Sequence, residues 1–262
     1  MSQSKRPTQI IGYTKSSFTA EMSNGCSVTH DVYTRLSDKD AGVVVIIQEL
    51  PGIGQETLAL ADEFVQRGFS VVMPHLFGPL GSTSVLGNTV RVMCLRQEFY
   101  LFQSNMTSPI VDWLRALCRK SRDEHNVKGV AVIGMCLTGN FAISLMADDS
   151  VLAGYASQPS LPIGNPSALH MSETDIEDIK TALDKKGPMM CGRFAGDWMS
   201  TGEKMKTIDK TFNQDGSQRI AINTLPGKGH AIITIDFVDE EGHPTRKALD
   251  GVMDYFGRTL AC

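Results

Sequence analysis

The sequence has no C-x-x-C pair, and its six cysteines (Cys26, Cys94, Cys118, Cys136, Cys191, Cys262) do not fall with its six histidines at zinc-finger spacing, so no structural metal or thioredoxin-type motif is written in it. It has no run of about 18 apolar residues, the length that a membrane-spanning helix needs. The opening MSQSKRPTQIIGYTKSS lacks the apolar core of a secretory leader, and the expectation is a cytoplasmic protein with reduced thiols rather than a disulfide framework. Its 25 Lys and Arg are scattered among 29 Asp and Glu, a formal net charge of −4, which leaves no basic footprint for nucleic acid. Repeats, low-complexity tracts and linkers are also missing. What the chain does have is apolar material: 42% of 262 residues, enough to fill the core of one large α/β domain spanning 1–262.

The stretch VVVIIQE (43–49) is a continuous β-branched run, the signature of a strand buried on both faces of a parallel sheet. GQETLALADEFVQRG follows with apolar residues at helical spacing and Gly68 as its C-cap, and FSVVMPHL reads as the next strand, completing a βαβ unit. The alternation continues with helices in SPIVDWLRALCRK, GNFAISLMA, SETDIEDIKTALDKK and TRKALDGVMDYFGRTL. Between them come strands in VKGVAVIGM, VLAGYASQ, PMMCGRFAG and RIAINTLPG. Two strand-like pieces, TQIIGYT and CSVTHDVYTRL, precede the first βαβ unit. The pattern predicts an open, mostly parallel sheet with helices on both faces. The segment 78–105 opens with Gly, Ser and Thr and turns amphipathic, which reads as a lid-like excursion over the strand ends.

Ligands of such sheets sit beyond the carboxyl ends of the strands. Glu49, Leu50, His75, Cys136, Gln158, Asp197 and His230 fall there. Cys136, Asp197 and His230 run in the order nucleophile, acid, histidine, which is the chain order of α/β-hydrolases. In AVIGMCLTGNFAIS, Cys136 stands at a strand-to-helix turn between Gly134 and Gly139, one residue longer than G-x-S-x-G, where a helix start favours a thiolate. Taken singly, each residue has an ordinary reading: a buried cysteine, an exposed loop histidine in LPGKGHAI, a turn aspartate in FAGDWMS. Their joint order and placement point to a catalytic triad.

VVVIIQELPGIG, SVVMPHLFG, GMCLTG, FAGDW and PGKGH together resemble the dienelactone hydrolase family of α/β-hydrolases, from about Asn24 onward. The resemblance implies a Cys-His-Asp triad of Cys136, His230 and Asp197, with a strand-end glutamate, Glu49, beside the nucleophile. On this fold the oxyanion hole uses backbone N–H groups after the nucleophile and after the third strand, which map to Leu137 and Leu50; Pro51 has none to offer. A negative Glu49 disfavours the thiolate, so the thiol is expected to rest protonated until substrate displaces or protonates Glu49. Without the resemblance, Glu49 reads equally as a salt-bridge partner or a helix cap. Relatives that cleave dienelactone clamp its carboxylate with two arginines, whose places are taken here by Pro79 and Thr234. Arg91, Arg96 and Arg193 are the available replacements, and Arg96, Phe77 and Trp198 are the candidate substrate-binding residues.

Sulfur at the elbow suits activated acyl groups. The tetrahedral intermediate expels its better leaving group, and a thiol with pKa of about 8.5 leaves before an alkoxide but can lose that contest to an enolate, phenolate or thiolate. The expected partner is therefore a small ester or lactone, with no cofactor, in a monomer or small homo-oligomer. Three other readings stay open. One is a general carboxylesterase or thioesterase, and another is a redox-sensing or binding protein with a reactive thiol. The third is a dinucleotide-binding protein using ELPGIGQET, where Gly52 and Gly54 are followed by Thr57 instead of a third glycine.

Overall fold

In the computed structural model, which describes residues 10–22, 25–50, 52–78, 80, 106–162 and 164–261, the β-branched run forms strand β3, Val43–Ile47, with all five residues buried. It lies inside an eight-stranded sheet of order β1-β2-β4-β3-β5-β6-β7-β8. The other strands are β1 (Thr14–Glu21), β2 (Ser27–Arg35), β4 (Ser70–His75), β5 (Val130–Met135), β6 (Val151–Ser157), β7 (Met189–Phe194) and β8 (Ile220–Leu225). The β1–β2 and β2–β4 pairs are antiparallel. All the other pairs are parallel, so β3 to β8 end along one edge.

Among the described residues six helices cover the two faces: α1 (Gln55–Arg67), α2 (Ile110–Glu124), α3 (Gly139–Leu145), α4 (Glu173–Lys186), α5 (Gly202–Phe212) and α6 (Pro244–Leu260). On one face Trp113, Phe141, Ile179, Ile208 and Phe212, from α2 to α5, pack with Val45, Ile47 and Val132. On the other, Phe64 of α1 and Phe256 of α6 pack with Val44, Ile46 and Ile133. The alternate residues of β3 thus enter different cores, which is why that strand has no polar position. Burying each such side chain stabilises the fold by about 1.5–3 kcal/mol before conformational entropy is counted. Helix ends carry the chemistry their positions require. Gly68, at φ 108°, closes α1 with its N–H on Phe64 O and Val65 O, and the hydroxyls of Ser172 and Thr201 accept the N–H of Asp175 and Lys204 to start α4 and α5.

The structure departs from the sequence pattern in two places. The first strand lies not in TQIIGYT but in the following TKSSFTAE, an outer strand that is mostly exposed. Its stability comes from the ladder to β2, from Thr14↔Thr34 to Glu21↔Ser27, and not from an apolar run. Helix α5 was absent from the pattern as well, although Met205, Ile208 and Phe212 form its buried stripe behind the Thr201 cap. The excursion at 78–105, with Pro79, Arg91 and Arg96, lies outside the described residues apart from Gly78 and Leu80. No described helix is long and apolar enough to cross a membrane.

Candidate active site

Cys136 follows the last residue of β5 and opens a short 3-10 turn, Cys136–Thr138, that runs directly into α3. Its φ of 57° is one of three positive values at non-glycine residues among those described, a conformation that costs energy and holds only where the surroundings enforce it. The enforcement is visible. A Cβ on Gly134 would stand 2.2 Å from Thr138 O, so the turn can fold back on its own strand only over glycine. Thr138 Oγ1 accepts the Met135 N–H at 2.9 Å and lies 3.2 Å from the carbonyls of Ile47 and Gln48, tying the end of β5 to that of β3. Gln48 in turn donates to Phe77 O and accepts from Leu76 N, tying β3 to the chain leaving β4. The Cys136 side chain stands over this frame, mostly buried, with Ser160 Oγ 3.2 Å from its sulfur.

The loop after β7 presents the acid. Asp197 Oδ1 accepts the N–H groups of Met199 and Ser200, at 2.9 and 3.1 Å, and Oδ2 lies 2.7 Å from His230 Nδ1. Arg193, the fifth residue of β7, is itself buried and turns its guanidinium into this loop, donating to Ala195 O (3.2 Å), Asp197 O (2.9 Å) and Ser200 O (2.5 Å). It serves the acid loop and is not presented as a clamp for substrate. The histidine loop is pinned by Asp236, whose carboxylate accepts the N–H of His230 and of Ala231 at 2.7 and 2.9 Å. Gly229 lets that carboxylate approach, since a Cβ there would meet Asp236 Cγ at 2.8 Å.

His230 is thereby fixed through Nδ1, while its Nε2 is buried and makes no hydrogen bond. Burial works against the charged ring, but the Asp197 hydrogen bond and then the nearby Cys136 sulfur overcome it and raise the pKa from 6.5 to about 10. These partners favour the charged form of the ring.

Glu49 is buried at 3% exposure, with one carboxyl oxygen on the Thr234 hydroxyl and the other 3.1 Å from Gln158 Nε2. Burial pushes its pKa up to about 7, against the opposing pull of Thr234, His230 and Gln158. Its carboxyl faces those partners, and among the described residues it makes no hydrogen bond to Cys136. Thr234, read from sequence only as a missing arginine, is the residue that holds Glu49. Leu50 and Leu137 emerge from the adjacent ends of β3 and β5, strands paired through Ile47↔Gly134. Phe77 is buried in the core cluster that includes Cys136, whereas Trp198 is 79% exposed beside Asp197. Arg96 is outside the described residues.

Gln158 was on the strand-end list without a role, and Ser160 was missed altogether. Nothing in SQPSLP distinguishes these side chains from loop polar residues, because their partners Glu49 and Cys136 are 109 and 24 residues away in sequence.

A mostly parallel sheet with a strand-to-helix turn at Cys136 after β5, Asp197 after β7 and His230 after β8 has the α/β-hydrolase fold. Similarity to known proteins narrows it: the sequence profile of the dienelactone hydrolase family matches residues 31–260. The chain belongs to that family, whose members are esterase-like hydrolases. A curated relative, Hydrolase tropI of Talaromyces stipitatus, is 23% identical over 207 residues, covering 76% of this chain and 74% of that protein. A Klebsiella pneumoniae structure described as a dienelactone hydrolase superposes with a TM-score of 0.60 at 17% identity, over 94% of this chain and 99% of that one. The dienelactone hydrolase-like promiscuous phosphotriesterase P91, from metagenomic libraries, gives 0.61 at 15%, over 94% and 98%. At these identities the superpositions speak for the fold.

Proposed function

We propose that the protein hydrolyses uncharged, activated esters or lactones through a cysteine acyl-enzyme on Cys136. The observation that carries this reading is the oriented histidine: Nδ1 is fixed 2.7 Å from Asp197 Oδ2, and the buried Nε2 is left for the nucleophile side. Cys136 gives its proton to His230 Nε2, and the thiolate so formed pairs with the imidazolium. The thiolate attacks the acyl carbon, forming the C–S bond as the carbonyl electron pair moves to oxygen, where the N–H groups of Leu50 and Leu137 receive it. Collapse breaks the bond to the leaving oxygen, which takes the proton from Nε2. The neutral histidine then removes a proton from water as its oxygen attacks the thioester, and collapse of the second intermediate releases the acid and restores the thiolate with charged His230.

The neutral setting of Glu49 supports the restriction to uncharged substrates. Thr234 and Gln158 occupy the carboxyl, and Arg193 is committed to three backbone carbonyls. No described cation is thus offered to a substrate carboxylate at these positions. The test is mass spectrometry after rapid mixing with p-nitrophenyl acetate. One acetyl group on the Cys136 peptide, formed and lost at the steady-state rate, is the expected result. Turnover with no acyl group on Cys136, or retained in Cys136→Ala, overturns the reading.

A further inference from the structure

We infer that Ser160 is a further catalytic residue of this site, a hydroxyl that donates a hydrogen bond to the Cys136 sulfur and so supports its thiolate. The inference deepens the proposed function and rests on Cys136 being the nucleophile. Ser160 Oγ is 3.2 Å from Sγ, within hydrogen-bond reach of sulfur, and its own N–H donates to Cys136 O at 3.2 Å, so one residue grips the nucleophile by backbone and side chain together.

The loop that carries Ser160 is fastened at every step. Gln158 leaves β6 at φ 37°, fully buried, with its N–H on Gly192 O at 2.7 Å and its side-chain amide on Glu49. Pro159 lies against α3 so closely that a Cβ on Gly139 would stand 2.8 Å from its Cα. Leu161 O accepts from Asn140 Nδ2 at 3.1 Å and from the fully buried Lys204 Nζ at 2.6 Å, and the same nitrogen reaches across to Ala168 O. A positive φ, a glycine with no room for a Cβ against Pro159 and Ser157 O, and a buried lysine amine on two carbonyls all hold four consecutive residues against the elbow. This is far more restraint than a surface connection needs, and its product is a hydroxyl at a fixed position beside the sulfur.

The direction of the bond follows from the neighbours. His230 Nε2 is buried without a hydrogen bond and supplies the positive partner of the sulfur, so the sulfur is the acceptor and the Ser160 hydroxyl the donor. The groups facing the sulfur are then His230 and Ser160. Glu49 and Asp236 act on the histidine side of the site, Glu49 through its charge interaction with His230 and Asp236 through its bonds to the loop backbone.

The test is the pH dependence of Cys136 alkylation by iodoacetamide, read on its own peptide by mass spectrometry, in wild type, Ser160→Ala and Ser160→Thr. Loss of a donor to a charged acceptor should move the midpoint of Ser160→Ala up by about one pH unit, which is roughly tenfold slower alkylation below the midpoint. Ser160→Thr, which keeps the hydroxyl, should restore it. With p-nitrophenyl acetate, kcat should fall in Ser160→Ala while KM stays near wild type. An unchanged or lowered midpoint in a folded Ser160→Ala protein overturns the inference, as does a Ser160→Thr variant that behaves like alanine. The two readings fail separately: absence of acyl-Cys136 in the wild type removes the proposed reaction, whereas acylation that depends on Cys136 but not on Ser160 removes only this one.

Discussion

Asp197 and Glu49 are both carboxyl side chains almost shut off from solvent, at 4% and 3% exposure, and both belong to the same strand-end site, yet they are held in opposite ways. Asp197 receives three N–H groups, two from the backbone and one from His230, inside a loop that Arg193 organises. Glu49 receives a neutral amide and a neutral hydroxyl, and burial leaves it with a pKa of about 7. Donor number and charge, not depth, separate the two settings: one carboxyl orients a histidine, and the other is pushed up by burial. The same contrast bears on substrate. A glutamate paired with arginine would leave a cation for an anionic substrate to capture, whereas one satisfied by Thr234 and Gln158 leaves none.

The comparison breaks first at the nucleophile. Cys136→Ala and His230→Ala should each reduce kcat for p-nitrophenyl acetate by roughly four orders of magnitude with unchanged circular dichroism, and a smaller loss would remove the pair from the chemistry. Asp197→Asn keeps the shape but accepts no proton-bearing Nδ1 in the same way, so a decrease of about a thousandfold in kcat is expected, less than for His230→Ala. If Asp197 and Glu49 differ as described, exchanging substrates sharpens the contrast. The specificity constant for a neutral aryl ester should exceed that for a carboxylate-bearing dienelactone by roughly a hundredfold, the value of two missing charge-assisted contacts. Steady-state kinetics on one preparation decides it, and a preference for the anion would mean that a cation other than His230 clamps the substrate carboxylate.

Arg193→Met should lower kcat by about tenfold while KM moves little, because the three carbonyls of the acid loop lose their donor and Asp197 loses its exact aim. Chemical denaturation should also show a loss of about 3 kcal/mol, the cost of stranding buried acceptors. The smallest catalytic effect is expected from Glu49→Gln, within a few-fold of wild type at pH 6. Its signature lies in stability. The folded carboxyl keeps its proton up to about 7, while the unfolded one gives it up near the ordinary 4.5, so the wild type loses stability as pH rises from 4.5 to 7. The loss is on the order of 3 kcal/mol at most. Melting temperatures of Glu49→Gln across that window should show the decline removed. His230 has the complementary window: its raised pKa contributes stability that is complete below 6.5 and is lost as pH climbs toward 10.

By itself the sequence determined the mostly parallel part of the sheet and the chain order in which Cys136, Asp197 and His230 follow its strands. A run such as VVVIIQE is apolar on both faces because two cores must be filled, and periodicity of that kind survives in one dimension. The glycines around Cys136 and His230 are legible for a similar reason, since close approach of backbone at Gly134 and Gly139, and of the Asp236 and Phe194 side chains at Gly229, leaves no room for a Cβ and writes Gly at fixed offsets. Strand β1 and helix α5 escaped because their stability lies in partners: a ladder to β2 in one case, a short buried stripe on the sheet in the other. Only the tertiary structure decided what each polar side chain does. Thr234 looked like an absence, Arg193 like a possible clamp and Ser160 like a loop residue. Contact across 185 residues made the first a partner of Glu49, local carbonyls absorbed the second, and a loop fastened by Lys204 and Pro159 brought the third to the sulfur. A hydrogen bond is set by ångströms and angles between groups distant in the chain, and neither quantity has a period that a sequence can carry.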